Sequence, residues 1–265
     1  MTRASRETIY YIGGNKGGVA KSWVSYLLVD YVFTQFPSTP IILFETDSSG
    51  YDVGVCYRKR KDNDDFNAKY ERVRVVGVDL ATFKGWKKMF DLIREHPECV
   101  AVINSAAASI NVIKENGSFF DGAKEEYGFD LTTFWLLNTE QYGIRALVDF
   151  LASIKTSTVH VVKNLYFGDP DDFTEFDTSP KIQQEIAARS GLVLEFPVLE
   201  KTVARDLRLA ALPIDEARKN MELLSRTCLD RWRSRFKKMV EQVVAGVVNV
   251  EKPVKSNKKE SPEQG

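Results

Sequence analysis

The stretch YIGGNKGGVAKSW, which runs from Tyr11 to Trp23, decides how the rest of the chain is interpreted. Apolar β-forming residues lead into four glycines, two lysines stand among these glycines, and a serine opens a long apolar run. Gly14–Ser22 fits the phosphate-binding pattern G-x-x-x-x-G-K-[ST], except that Ala20 replaces the last glycine. The flanking sequence predicts a strand before this loop and a helix after it, which is the context the pattern requires.

The composition of this loop predicts a site for the phosphate chain of a nucleotide. Glycines let successive backbone N–H groups converge on an anion, and the helix starting near Lys21 directs its positive end to the same place. Lys21 would neutralise the β and γ phosphates, and the Ser22 hydroxyl would bind Mg²⁺. Ala20 fits if its φ stays below zero. The predicted binding segment comprises Gly14, Asn15, Lys16, Gly17, Gly18, Val19, Ala20, Lys21, Ser22 and Trp23.

The bulk composition suits one large α/β domain and gives no other strong signal. The chain has 265 residues, is 43% hydrophobic, and carries 37 basic and 37 acidic residues, so net charge does not indicate a polyanionic partner. Three scattered cysteines and two distant histidines, His96 and His160, suggest neither a disulfide framework nor a metal cluster. Neither a secretory signal nor an apolar run of about 18 residues is visible, so we expect a cytoplasmic protein.

Apolar runs of strand length alternate with helical patterns along the chain. This alternation predicts an α/β fold with a doubly wound, mostly parallel sheet and helices on both faces. The predicted strands are Thr8–Ile12, Ile41–Phe44, Val73–Val78, Val100–Ile103, Thr133–Leu137, Val159–Val162 and Val193–Phe196. The predicted helices are Lys21–Phe36, Lys84–Glu95, Tyr142–Ile154 and Lys181–Arg189, and loops are expected at Tyr51–Lys69 and Gly168–Pro180.

The C-terminal part combines a long helical pattern with a polar tail. The pattern extends from Ile214 to Val248, in one or two pieces, and predicts a terminal amphipathic helix at about residues 217–248. After Glu251 the composition shifts to Lys, Glu, Pro, Ser, Asn and Gln, so residues 251–265 are expected to be disordered. Residues 1–250 then form a single domain.

Lys16, the earlier of the two lysines in the loop, points to a family. KGGVAKS resembles the deviant Walker A motif, K-G-G-x-x-K-[ST], of the ParA/MinD group of P-loop ATPases, which have the SIMIBI-type P-loop NTPase fold. The resemblance implies that the chain binds ATP or ADP with Mg²⁺ and forms a homodimer in the ATP state. It also implies that Lys16 reaches across the dimer interface to the partner's nucleotide, while Lys21 serves its own. A lysine so placed would stabilise charge on the transferred phosphoryl group.

A second motif resembles the family's switch segment. In IILFETDSSG, Glu45 and Asp47 occupy the two acidic positions of hydrophobic-D-x-D-P-Q-G, while Ser48 and Ser49 replace the Pro-Gln pair. The resemblance implies that Asp47 positions the attacking water and a magnesium-bound water. Asp47 is therefore predicted to be catalytic together with Lys16 and Lys21.

The Walker B position departs from the family. CVAVINSAAA resembles the apolar strand that ends in Asp, but Asn104 occupies the acidic position. An amide oxygen can accept a hydrogen bond from a magnesium-bound water but lacks the charge that holds the ion strongly. The predicted metal-site residues are therefore Ser22, Asp47 and Asn104, and hydrolysis is expected to be slow. Asp79, at the end of VRVVGVD, is an alternative Walker B acid, although it lies close to the P-loop in sequence.

Two later segments resemble the family's adenine site. VHVVKNLYFGD carries Asn164 at the position of the adenine-contacting asparagine, although this residue could equally be a turn asparagine. FPVLEKTVARDLRLAALPIDEA resembles the loop over the base, which implies backbone contacts from Pro197, Val198 and Leu199. The resemblance covers most of residues 7–220 and is greatest to the plasmid partition and mobilisation branch, which includes StbB-like and MobD-like proteins.

The terminal helix carries RWRSRFKK, from Arg231 to Lys238, with five basic residues and no acid. It could contact DNA phosphates non-specifically, lie on an anionic membrane surface, or pack on the sheet by its apolar face. The leading hypothesis is a ParA-like ATPase that binds DNA and a ParB-like or relaxosome adaptor protein, with association with the nucleoid as one expected location. The alternatives are an ATP-binding scaffold that hydrolyses poorly and a MinD-like ATPase at a membrane surface.

Overall fold

The computed structural model describes residues 8–14, 17–47, 50, 52–107 and 109–248, with side chains up to residue 243 in the last helix. Among these residues, seven strands form one parallel sheet in the order β3-β2-β4-β1-β5-β6-β7. They are β1 (Thr8–Gly14), β2 (Ile41–Glu45), β3 (Val73–Gly77), β4 (Val100–Asn104), β5 (Asp130–Leu137), β6 (Thr158–Asn164) and β7 (Val193–Phe196). The predicted Asn15, Lys16, Ser48, Ser49 and the 251–265 tail lie outside the described residues.

Helices cover both faces of this sheet. They are α1 (Lys21–Gln35), α2 (Asp64–Tyr70), α3 (Phe83–Glu95), α4 (Ser109–Asn116), α5 (Ser118–Tyr127), α6 (Gln141–Ser153), α7 (Thr174–Asp177), α8 (Pro180–Ala188), α9 (Lys201–Ala210), α10 (Ile214–Lys219) and α11 (Leu223–Val248). Alternate residues of a strand pack into opposite cores: Leu43 packs with α1 and α11, and Phe44 packs with α3 and α6. Burial on both faces explains the apolar strands, and the predicted doubly wound fold is confirmed.

The strand order places the phosphate loop at the centre of the sheet. β1 lies between β4 and β5, and its residue Ile12 pairs with Asn104 at the end of β4. Asn104 in turn pairs with Glu45 at the end of β2. The carboxyl ends of β1, β2 and β4 therefore lie side by side, at the position where the strand order reverses in the sheet. Ligands bind at this position in such folds.

All seven predicted strands are present, but the loop prediction for Tyr51–Lys69 was wrong. This segment contains a 3₁₀ turn at Gly54–Cys56 and helix α2. The Asn63 side chain accepts a hydrogen bond from the Phe66 N–H and caps α2. Phe66 and Tyr70, one helical turn apart, are both buried, so packing stabilises a helix that the charged composition obscured.

The loop predicted at Gly168–Pro180 is also partly helical. A 3₁₀ turn at Pro170–Asp172 starts at a capping box formed by Asp169 and Asp172, and α7 follows. The acidic residues that suggested a loop therefore serve as caps here.

The C-terminal helical pattern consists of two helices, α10 and α11. The apolar face of α11 is buried against the sheet and α1 through residues that include Trp232, Phe236, Met239 and Val240. The reading in which this helix packs by its apolar face is thus the one the structure shows. None of the helices within the described ranges has both the length and the apolar character needed to cross a bilayer.

Candidate functional site

A cavity of about 1010 Å³ opens at the carboxyl end of the sheet, directly above the phosphate loop. Twelve of the predicted site residues line its wall. Those on the wall are Gly17, Gly18, Ala20, Lys21, Ser22, Trp23, Asp47, Asn104, Asn164, Pro197, Val198 and Leu199. Gly14 lies behind the wall at the end of β1, and Val19 is fully buried in the core.

Among the phosphate-loop residues that the structure describes, two lie in the left-handed backbone region. Gly18 has φ 81°, and Ala20, directly before α1, has φ 80°. The condition for Ala20, a φ below zero, is not met, because the loop turns into the helix at this residue as it would with glycine. Ala20 provides no side-chain cap and the first turn of α1 has no acid, so the helix N-terminus presents its amides to the cavity.

Lys21, the first residue of α1, is a buried cation at this helix end. Only 6% of its surface is exposed, and burial lowers its pKa from 10.5 to about 8, although the charges of Asp47 and Asp52 oppose that shift. An ammonium group that has lost its water is a strong ligand for a phosphate anion. The arrangement of a helix N-terminus and Lys21 is therefore suited to binding the terminal phosphates of a nucleotide.

Oxygen ligands surround the mouth of the loop. The Ser22 hydroxyl donates a hydrogen bond of 2.9 Å to Oδ2 of Asp52, and Asp47 lies on the same wall of the cavity. Hydroxyl and carboxylate oxygens are the ligands that Mg²⁺ prefers, so this set of residues fits the ion that accompanies a nucleotide. Sequence reasoning missed Asp52, although its position shortly after the switch motif is a signal that could have identified it.

Asn104 belongs to a buried polar network rather than to an acidic pair. Its amide nitrogen donates to Oε2 of Glu45 at 2.7 Å, and its oxygen accepts from the Ser25 hydroxyl at 3.0 Å. Glu45 is 1% exposed, and desolvation raises its pKa although three hydrogen bonds to its carboxylate oppose the shift. Asn104 also lies on the cavity wall, and its oxygen keeps one lone pair that could reach a ligand.

Asp79 does not reach the site. It follows β3, the edge strand, which is separated from β1 by β2 and β4. Its carboxylate accepts a hydrogen bond from the Ala81 N–H in the turn before α3. Asp79 is therefore not among the residues that line the cavity, whereas Asn104 lines it and pairs with Ile12, just before the phosphate loop.

The other end of the cavity combines a buried amide with aromatic rings. Asn164 donates to the Val19 carbonyl at 3.1 Å and accepts from the Tyr166 N–H at 3.1 Å, which leaves one N–H and one lone pair for a ligand. The Trp232 indole donates to the Pro197 carbonyl at 2.8 Å and so fixes the loop predicted to lie over the base. The missed wall residues of this region are Tyr26, Tyr166, Phe196, Lys201, Arg205, Arg208 and Trp232.

Trp23 gives this end of the cavity a flat surface. Its ring lies edge-to-face with Trp232 at 5.6 Å, and the Arg208 guanidinium lies 5.2 Å from its centroid. Such surfaces stack well on a planar base.

A second group of ligand-type side chains lies far from this cavity. His96, Glu98 and Cys99 have atoms within 4.8 Å of one another, next to the first residue of β4 and hence at the opposite edge of the sheet. The Arg74 guanidinium, however, lies 3.2 Å from the His96 ring and occupies that side of the group. The cysteines are free, as expected.

Comparison with known proteins finds a relative that covers most of the chain and solved structures that share its fold. No known protein-family profile matches the chain. Protein MobD of Acidithiobacillus ferrooxidans is 30% identical over 238 residues, which cover 90% of this chain and 98% of that protein. The septum site-determining protein MinD of Pyrococcus horikoshii, solved with Mg-ADP, is 15% identical with a TM-score of 0.51 and covers 91% of this chain and 98% of its own. A McdA variant of Cyanothece, solved with ATP, is 11% identical with a TM-score of 0.55, and the match covers 95% of this chain and 100% of the McdA chain.

Proposed function

The chain belongs to the MobD family, within the ParA/MinD-type P-loop ATPases, and on this premise we propose that it is an ATPase whose ATP-dependent dimerisation switches its binding to DNA and to a partner protein. The observation that carries the proposal is the convergence of the site on one cavity. The phosphate loop, the acidic end of the second strand, Asn104, Asn164 and the segment after β7 all line it. As they are placed, these residues could hold a base at one end of the cavity and phosphates at the other.

Different residues of the cavity bind the phosphates, the base, the metal ion and the attacking water. Lys21 and the N-terminal amides of α1 hold the β and γ phosphates, while Asn164 and residues 197–199 hold the base. Ser22 and Asp47 would hold Mg²⁺, which would supply positive charge to offset the charge that develops on the phosphates. Asp47 also orients the attacking water by accepting its hydrogen bond. Because Asn104 contributes no charge, intrinsic turnover is slow and a partner protein stimulates it.

ATP brings two chains together in this proposal. Lys16, which lies outside the described residues, reaches the phosphates of the partner's nucleotide, and Lys21 serves its own. A triphosphate offers the γ-phosphate as a binding partner for the Lys16 of the other chain and a diphosphate lacks it, so ADP releases the dimer.

The exposed bases of α11 favour DNA as the surface that the dimer binds. The apolar face of this helix is buried, so it is not available for insertion into a lipid surface. Arg231, Arg235 and Lys238 remain exposed on the outer face. Three cations on one helix face suit non-specific contacts to phosphates. The setting we propose is plasmid partition or conjugative mobilisation in the bacterial cytoplasm, with a ParB-like or relaxosome adaptor as partner.

The oligomeric state in the presence of nucleotides tests the switch. We expect size-exclusion chromatography with light scattering to show a dimer with ATP and a monomer with ADP or without nucleotide. Lys16→Ala should weaken the ATP dimer or leave it unable to hydrolyse, whereas Lys181→Ala, at an exposed position of α8, should behave like the wild type. The same mass in all nucleotide states would contradict the proposal.

The Glu45–Asn104 hydrogen bond favours a second candidate, an ATP-loaded scaffold that does not turn over. An amide at this position keeps the polar network intact without the charge that holds the metal tightly. A phosphate-release assay with and without DNA separates the candidates. Turnover that Asp47→Ala abolishes would establish the ATPase, and release no faster than the buffer background would establish the scaffold.

A further inference from the structure

We infer that Asp52 is a positioning carboxylate for the magnesium ion: it orients the Ser22 hydroxyl and supplies the negative charge that the Asn104 amide lacks. This inference rests on the proposed function, because it concerns the metal that accompanies the nucleotide. Asp52 lies outside the three sequence motifs of the site, and Ser22 is the loop residue expected to bind the ion.

The hydrogen bond between Ser22 and Asp52 prepares the hydroxyl for a cation. The two oxygen atoms are 2.9 Å apart, and both residues line the cavity. A serine hydroxyl has one hydrogen and two lone pairs. Since the carboxylate can only accept, the hydrogen points to Asp52, and the lone pairs of Ser22 are left for the metal. A carboxylate behind a metal ligand also makes that ligand more basic.

Glu45 holds the backbone that carries Asp52. Its Oε1 accepts hydrogen bonds from the N–H groups of Val53 and Gly54, at 2.8 and 2.7 Å. Gly54 is tightly enclosed, since a Cβ there would collide with Val75. The two amides that follow Asp52 are therefore fixed to the end of β2, which keeps its carboxylate beside Ser22.

Asn104 completes this support and keeps a second charge out of the region around Glu45. Its amide donates to the second oxygen of Glu45 at 2.7 Å, inside a region where Glu45 is 1% exposed. An aspartate at position 104 would bring two carboxylates into direct contact in that buried region, and at least one would have to be protonated. With an amide at 104, the free carboxylate can stand at the exposed position 52 instead.

The position of Asp52 predicts that the affinity for the metal ion and the affinity for the nucleotide are coupled. Asp47 and Asp52 both act on the charge of Lys21, so both lie within the field of the phosphates that Lys21 would bind. Without a cation they repel a nucleotide, and with one they bind the complex. Asp52→Asn should therefore weaken metal binding and leave or improve the affinity for metal-free nucleotide.

The test measures binding, not turnover. Mn²⁺ affinity is measured by electron paramagnetic resonance on the full chain saturated with ADP, and ADP affinity is measured by calorimetry with Mg²⁺ and with a chelator. Asp52→Asn keeps the shape of the side chain and an acceptor for Ser22 but removes the charge. Asp62→Asn, an exposed acid in the segment before α2, is the matched control.

We expect Asp52→Asn to lower Mn²⁺ affinity about tenfold or more, with the melting temperature unchanged. Asp62→Asn should match the wild type. Equal Mn²⁺ affinity in Asp52→Asn and wild type would overturn the inference while leaving the proposed function standing. Failure of the wild type to bind ADP under either condition would instead overturn the proposed function.

Discussion

Ala20 shows how one methyl group affects the phosphate loop. Its φ of 80° lies in the left-handed region, where a Cβ crowds the following carbonyl and costs about 1–2 kcal/mol. The chain adopts this conformation because α1 must begin at Lys21 with its amides facing the cavity. Strain of this kind persists only where the surrounding structure holds it in place.

Replacing Ala20 with glycine should therefore stabilise the protein. We expect Ala20→Gly to raise the free energy of unfolding by about 1 kcal/mol, because relief of the left-handed strain exceeds the added entropy of the unfolded chain. The control is Ala187→Gly, the same substitution at an exposed position of helix α8, which should lower it by about 0.5–1 kcal/mol. Urea unfolding measures both, and two losses of stability would contradict the account.

Lys21 should make stability rise with pH in the alkaline range. Burial lowers its pKa from 10.5 to about 8, so between these values the unfolded chain holds a proton that the folded chain does not. The contribution of Lys21 to the free energy of unfolding therefore becomes more favourable to the folded state as the pH rises from about 8 to about 10.5. Lys21→Met lacks the group and should lack this rise. Urea unfolding without nucleotide, at neutral and alkaline pH, checks it, and parallel profiles for the two proteins would refute it.

At the scale of elements, a buried ion pair fixes the terminal helix to the first helix. The Arg233 guanidinium contacts both oxygens of Asp30, at 2.9 and 3.0 Å, and also Asp215 on α10. Desolvation raises the pKa of Asp30 to about 6 even though Arg233 opposes this. One of the five bases of RWRSRFKK thus serves the fold, and its charge is not available to a ligand.

Removing Arg233 should destabilise the protein by about 3 kcal/mol at neutral pH, because it leaves the Asp30 carboxylate buried without its partner. Arg235→Ala, on the exposed side of the same helix, should change the stability by less than about 0.5 kcal/mol. The loss in Arg233→Ala should shrink as the pH falls towards about 6 and stay constant below it, since the variant lacks the cation that opposes the rise in the Asp30 pKa and therefore takes up the proton at a higher pH. Urea unfolding at several pH values measures this, and a loss independent of pH would argue for packing alone.

The exposed bases of α11 should instead affect DNA binding. We expect the combined variant Arg231→Ala, Arg235→Ala, Lys238→Ala to weaken non-specific DNA binding in the ATP state uniformly across sequences. The slope of log affinity against log salt should fall by up to about 3, about one for each lost phosphate contact. Fluorescence anisotropy with a labelled duplex measures both. An unchanged salt slope would place the DNA surface elsewhere or remove it.

The elements differ in how well the sequence predicts them. The strands are continuous apolar runs because they are buried on both faces, and all seven were predicted with small errors at their ends. Helix α2 was missed because its stabilisation comes from the Asn63 cap and from burial of Phe66 and Tyr70, which lie among charged residues. Helices α4, α5 and α9 were not predicted either, since a short amphipathic helix depends on packing more than on composition.

At the scale of the whole molecule, the sheet brings distant segments to one cavity. The motifs predicted most of its wall, because the carboxyl ends of parallel strands meet at one edge. Asp52, Arg208 and Trp232 were not predicted, because their place in the cavity depends on the path of the chain between elements. The role of Asn104 as a partner of Glu45 likewise required the register of β2 and β4.

The most direct test of the account is calorimetric titration of a non-hydrolysable ATP analogue with Mg²⁺ into the wild type and Lys21→Met. The account predicts saturable binding at one site per chain in the wild type and binding at least about tenfold weaker in the variant, because a buried cation at the helix N-terminus is lost. Absence of binding in the wild type, or equal affinity in the folded variant, would contradict it.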